Sequence, residues 1–214
     1  MTVATADIVD LLAGVAPQSR IHGLRALRAQ ARENAQRSFE ALLEPRDPGA
    51  FSLGERYAVA AFVARVHGQE RAAEFYADLL GDEEPELVPS ILAAAADGAS
   101  AGPYGAYREP GLSAESAPGT IWQADVALGA RLAAALTHAH LLVFRPRESD
   151  AAALRALATA GWDADEIVSL SQLVAFLSFQ LRLVHGLRVL SDDLAADAQG
   201  PAAGASVIGE GDVR

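Results

Sequence analysis

The sequence predicts an all-α protein, and three observations lead there. Alanine, the strongest helix former, is the commonest of the 214 residues. The two-residue alternation of Val, Ile and Thr that marks a strand is nowhere sustained. Two segments, Ser52-Leu53-Gly54-Glu55 and Asp163-Ala164-Asp165-Glu166, place an N-capping residue three positions before a glutamate. In that arrangement the cap accepts from the third helical amide while the glutamate reaches back to the cap's own amide.

Taken in order, a first helix is expected from about Thr5 to Ala13. A long charged one runs from Ser19 to Leu43 and is ended by Pro45 and Pro48, whose rings lack a donor and clash with the preceding turn. The Ser52 cap starts a helix ending near His67-Gly68. Two more follow, Gln69 to Leu80 with an apolar side of Phe75, Tyr76, Leu79 and Leu80, and Glu86 to Ala96; with the Ser52 helix they suggest one antiparallel cluster. Between Asp97 and Gly119 the chain turns to Gly, Pro and Ser, a composition whose backbone entropy opposes regular structure. A loop of that length inside a domain is usually functional or packs between subunits, and an interdomain linker is the other reading. Helices then span about Asp125 to Phe144, Ser149 to Ala160, and Asp163 to Leu190. In the last, Ile167, Leu170, Val174, Leu177, Leu181 and Val184 recur at steps of three and four, with Phe176, Phe179, Leu183 and Leu187 on the flanks. A helix so apolar around its circumference belongs at the centre of a bundle or in an oligomer interface. The organisation expected is a single domain over 1–190 and a tail over 191–214, mobile beyond Gly200.

Composition excludes several functions. There is no cysteine, so disulfides, thiolate metal sites and thiol-based catalysis are absent. The 17 basic residues, all arginine, face 28 acids for a net charge of -11 and a pI near 4.8. This balance opposes a nucleic-acid partner or an anionic membrane surface, both of which need a basic footprint. Hydrophobic residues make up 51% of the chain and mean hydropathy is +0.15, yet the longest uncharged apolar stretch, Ile167 to Leu181, is short for about 30 Å of hydrocarbon. No membrane span is expected. No basic residue precedes Asp7 and Asp10, so the first part of a secretory signal is missing and a cytoplasmic location is expected.

Two blocks carry a family resemblance. LGERYAVAAFVARVHGQERAAEFYADLL resembles the core of the alkylhydroperoxidase D and carboxymuconolactone decarboxylase superfamily, where a Glu-initiated apolar helix leads through a small turn to a Cys-x-x-Cys helix start followed by histidine. ALRALATAGWDADEIVSLSQLVAFLSFQLRLVHGLRVL resembles the C-terminal signature of its peroxidase-related branch. The resemblance implies an alkylhydroperoxidase D-like helical bundle, commonly oligomeric. Residue by residue, the family glutamate falls on Glu55, the turn glycine on Gly68, the cysteines on Gln69 and Ala72, and the histidines on Phe75 and Tyr76. Only the glutamate and glycine match, so the peroxidatic step has neither nucleophile nor resolving thiol. The decarboxylase branch works without the cysteine pair, which leaves non-redox chemistry open.

Five histidines offer acid/base groups: His22, His67, His138, His140 and His185. His67, beside Gly68 and the first lost cysteine position, is the first candidate, although an imidazole in a last helical turn also complements the helix dipole. Glu55 is the second, with a capping role that explains it equally. Gln69 and Tyr76 are candidate ligand contacts, Tyr76 also being a plausible core residue. Arg182 and His185, three apart on the long helix, share a face and suit either an anionic group or an ion pair. His138 and His140 are two apart, about 200° around a helix, and do not make a metal pair. With no His-x-x-x-His, phosphate loop, dinucleotide fingerprint or Gly-x-Ser-x-Gly elbow, neither a metal nor a cofactor is expected. Two functions remain. One is a homo-oligomer binding a small anionic or lipophilic molecule near Glu55, His67, Gln69 and Tyr76, with proton transfer or decarboxylation assisted by His67. The other is a non-catalytic subunit paired with a cysteine-bearing homologue.

Overall fold

The computed structural model describes residues 6–107 and 109–199, and among them nine α-helices and no strand. Helix α1 (Ile8–Ala13) starts where Asp7 accepts from the Asp10 amide at 2.9 Å and stops at Gly14, whose φ of 70° ends a helix at no steric cost. The single helix expected from Ser19 to Leu43 is two, α2 (Arg20–Ala26) and α3 (Ala29–Leu42), separated by a turn at Leu27-Arg28 that holds neither Gly nor Pro. Arg25 of α2 and Arg32 of α3 converge on Asp7 and Asp10. Arg25 Nη1 lies 2.7 Å from Asp7 Oδ1 and also bonds Asp10, and Arg32 Nε lies 2.7 Å from Asp7 Oδ2. Burial raises the Asp7 pKa, and the hydrogen bonds from the two arginines outweigh it, so its carboxyl sits below the ordinary value.

Helix α4 (Leu53–Val66) has the capping box read from the sequence, with Glu55 N to Ser52 Oγ at 3.1 Å and Ser52 N to Glu55 Oε2 at 3.2 Å. It is buried almost all round, from Gly54 and Arg56 to Val66. Among the described residues the Arg56 guanidinium has no acid partner within ion-pair distance. It donates instead to the carbonyls of Phe51 and Leu42, at 2.9 and 2.7 Å, and lies 4.1 Å over the Phe51 ring, tying the α3–α4 connection to the core. Gly68, at φ 66°, turns the chain into α5 (Glu70–Glu83), and α6 (Leu87–Asp97) completes the cluster packed on α4.

The 97–119 segment is more ordered than its composition implies. Gly105 and Ala117 pair across it with mutual backbone hydrogen bonds, a 3-10 turn spans Pro110–Glu115, and the Tyr104 amide donates to Phe144 O at 2.6 Å. Beyond it come α7 (Ala130–Phe144), α8 (Ala151–Thr159) and α9 (Ala164–Gln199). Helix α9 runs nine residues past the boundary expected at Leu190. Ser191 to Gln199 lacks apolar periodicity, but adding residues to a formed helix escapes nucleation, and the first breakers are Gly200 and Pro201. The expected tail over 191–214 is therefore helix to Gln199, and the part expected to be mobile, beyond Gly200, lies outside the described residues. Both halves contribute to one hydrophobic core, with α9 against α1, α3, α4 and α7. By length and composition α9 meets the requirement of a membrane span, at mean hydropathy 1.6, as the 15-residue estimate did not foresee. Its Leu170, Leu173, Val174, Leu177, Leu181 and Val184 are buried in this core.

Candidate functional site

Helix α4 sets both leading candidates, and sets them apart. Glu55 opens the helix and His67 closes it, twelve residues away, which is about 18 Å of helical rise. None of the described cavities is lined by both.

At the Glu55 end the organising residue is Arg131, at the start of α7. Its Nε donates to Glu55 Oε1 at 2.7 Å, and Nη2 and Nη1 meet Glu166 Oε1 and Oε2 at 2.7 and 3.2 Å. Nη1 also donates to Gly161 O at 2.8 Å and Nη2 to Ala50 O at 3.3 Å, while the guanidinium lies 4.0 Å over the Trp162 ring. The indole returns a bond from Nε1 to Arg131 O at 3.0 Å. Glu166 belongs to the second capping box, with Glu166 N to Asp163 Oδ1 at 2.8 Å and Asp163 N to Glu166 Oε2 at 2.7 Å. One guanidinium thus joins the capping glutamates of two helices, α4 and α9. The hydrogen bond from Arg131 lowers the Glu166 pKa, with burial opposing it. With Ser52 N and Arg131 on its oxygens, Glu55 is committed to this junction.

At the other end, His67 Nδ1 lies 2.9 Å from Val63 O, one turn back on its own helix. Burial lowers its pKa, the carbonyl bond opposes that, and the charge of Arg182 lowers it further. Arg182 is thus within electrostatic reach of His67, but its hydrogen bond goes to Ser178 O at 3.2 Å and its side chain is exposed, as is His185. Gln69 precedes α5 without capping it. Tyr76 is sealed in the core. Its hydroxyl donates to Gln180 Oε1, and burial pushes its pKa upward. Gln180 Nε2 has no partner among the described residues. The described cavities include none lined by Glu55, His67, Gln69 or Tyr76.

Sequence reasoning missed Arg131, whose partners lie 35 and 76 positions away, and Gln180, 104 positions from Tyr76. The Arg131 hub had a partial signal in the two capping boxes, since a second glutamate-capped helix start invites a shared cation. Also missed was a cleft of about 430 Å³ between α6 and the segment before α7, lined by Asp97, Trp122, Asp125 and Leu128. Trp122 Nε1 donates to Asp97 Oδ2 at 2.7 Å, and its ring stacks on Phe62 at 5.2 Å. Among the described residues no group of three or more His, Asp or Glu is placed to hold a metal ion. No family model, curated protein or solved structure matches the chain.

Proposed function

We propose that this chain is a non-catalytic, oligomer-forming subunit built on an alkylhydroperoxidase D-like bundle. The family reading rests on the two sequence blocks. It is supported by a Glu-initiated α4, the left-handed turn at Gly68 and the second capping box at the start of α9. The observation that carries the functional reading is the state of Glu55: both carboxylate oxygens are engaged, by Ser52 N and by Arg131, in a junction between helices. A general base needs a lone pair aimed at a substrate proton across an accessible space. Tyr76 is sealed against Gln180, and Gln69 and Ala72 stand where the resemblance would place thiols.

A second reading, binding of a small molecule without chemistry, is favoured by the Asp97–Trp122–Asp125 cleft, whose volume is in the range of ligand sites. One experiment separates the two. The protein is purified from its own cells under gentle conditions and its native mass recorded. An oligomer with no adduct, either of this chain alone or with a cysteine-bearing relative, supports the subunit reading. A stoichiometric small-molecule adduct overturns it in favour of the second.

A further inference from the structure

Helix α9 presents two faces. One is buried. On the other, Val168, Gln172, Ala175, Phe179, Gly186 and Val189 are all exposed, and Arg182 fills the remaining step. Their spacings alternate four and three without interruption, which is the 3.5-residue period of a coiled-coil seam, and the seam runs for about 32 Å. An exposed helix face normally carries charged or polar residues. This one carries two in seven, Gln172 and Arg182, with Phe179 and Val168 both more than half exposed. Beside it lies a groove of about 680 Å³ between α3 and α9, bounded by Ser38, Ala41, Gln172, Ala175 and Phe176, with Phe179 standing at its edge.

We infer that this face pairs with a second copy of the chain, antiparallel, about a two-fold axis at Ala175. The inference rests on the subunit reading and names its surface. Three features select this occupant. Over the stretch that two antiparallel copies share, up to Val189, the charges are segregated: Asp165 is exposed near the start of α9 and Arg182 and Arg188 are exposed later, with Asp192 and Asp193 beyond the shared stretch. An antiparallel copy brings Arg182 within one turn of Asp165, whereas a parallel copy would set like charge on like. The knob and the groove lie side by side on one surface, so a two-fold axis delivers each Phe179 to the Gln172–Ala175 end of the other copy's groove, as an isologous interface requires. Ala175 at the axis and Gly186 opposite Ala164 let the two helices approach closely, within the 8–10 Å usual for packed pairs.

The absence of native cysteine makes the test clean. Ala175→Cys supplies the only thiol in the molecule and places it on the axis; Val126→Cys, 80% exposed and far from the seam in sequence, is the control. Under mild oxidation Ala175→Cys is expected to run as a covalent dimer on a non-reducing gel while the control remains monomeric. By light scattering the wild type is expected at twice the chain mass of 22.3 kDa. Phe179→Glu should weaken association by roughly 30-fold or more with helical circular dichroism unchanged, the behaviour of a central aromatic anchor. Arg182→Asp should also weaken it, and Arg182→Asp with Asp165→Arg should restore part of the loss, which parallel pairing would not give. A wild type monomeric at every concentration, a dimer indifferent to Phe179→Glu without the Ala175 cross-link, or partition of the protein into lipid vesicles that Phe179→Glu abolishes would each overturn the inference. A chain monomeric alone yet recovered with a cysteine-bearing relative overturns the self-pairing and leaves the subunit reading standing. A dimer carrying a small-molecule adduct does the reverse.

Discussion

The two ends of α4 each offered a candidate acid/base residue as sequence and are unlike as structure. At Ser52–Glu55 the local capping box is the first layer of a longer-range device, in which Arg131 gathers Glu55, Glu166, two backbone carbonyls and the Trp162 ring. At Val66–Gln69 the interactions stay local: a histidine on its own helix's carbonyl, a glycine turn, and a glutamine that caps nothing. The difference teaches that an ionisable residue at a helix end acquires a role through what arrives from elsewhere in the chain. Glu55 received a guanidinium with every donor pointed at an acceptor. His67 received only the field of an exposed arginine.

The largest predicted effect is at Arg131. Arg131→Ala leaves two largely shielded carboxylates facing each other without their cation, and urea denaturation should show a loss of about 3 kcal/mol. Arg131→Lys should recover less than half of it, because one ammonium cannot serve Glu55, Glu166 and the carbonyls in the geometry of a planar fork. A loss below about 1 kcal/mol would show that the junction is a surface ion pair and would break the contrast between the two ends.

Next is the sealed pair in the core. Tyr76→Phe removes the donor that satisfies Gln180 Oε1, in a side chain whose Nε2 is already unpartnered, and should cost about 1–3 kcal/mol. Adding Gln180→Leu should return most of that, since replacing both partners by apolar groups removes the unpaired atoms along with the bond. If instead Gln180→Leu alone is as damaging as Tyr76→Phe and the double variant is worse than either, Gln180 Nε2 has a partner and the core there is not filled.

How much of this was legible in the sequence follows from range. Both capping boxes are four-residue patterns, and both are present with the bonds the pattern requires. The positions of α4 and α5 follow from Ser52 and Gly68, both local signals. Arg131 and Gln180 were missed because only the fold brings Glu55, Glu166 and Tyr76 to them, from 35 to 104 positions away. The break at Leu27-Arg28 has no local breaker; Arg25 and Arg32 bind the same two aspartates from either side of it. The nine extra residues of α9 illustrate the converse, because absence of apolar periodicity argues only that a segment is not packed. Alanine and a helix already formed suffice to continue it. The seam of Val168, Ala175 and Phe179 was visible as apolarity in excess of one buried face, and only burial divides the two faces.

A smaller effect is expected from pH. Burial lowers the pKa of His138 and His140 as well as His67, with a bond to Gly98 O opposing it at His140 and the charge of Arg145 adding to it. A histidine whose folded pKa lies below its unfolded value takes up its proton more readily in the unfolded chain. Its contribution to stability is present above about pH 6.5 and is lost as pH falls through the folded value. Urea midpoints should therefore fall between pH 7.5 and pH 5.5. His138→Leu should flatten part of that slope while leaving stability at pH 7.5 nearly unchanged, because it removes the unpartnered Nδ1.

The smallest effect, and the one that bears most directly on the second end of α4, is at His67. Its Nδ1 bond is to a carbonyl in the last turn, where water is available as an alternative partner, so His67→Asn should cost no more than about 1 kcal/mol. The more telling measurement is the imidazole titration by NMR. The folded pKa should lie below the ordinary 6.5, and Arg182→Ala should raise it by removing a nearby positive charge, with the α4 and α9 chemical shifts otherwise kept. A value above 6.5 would mean that a carboxylate reaches His67 in solution. The imidazole would then have the oriented acid partner that Glu55, about 18 Å of helical rise away along α4 and engaged by Arg131, cannot be, and the acid/base reading of this end would regain its ground.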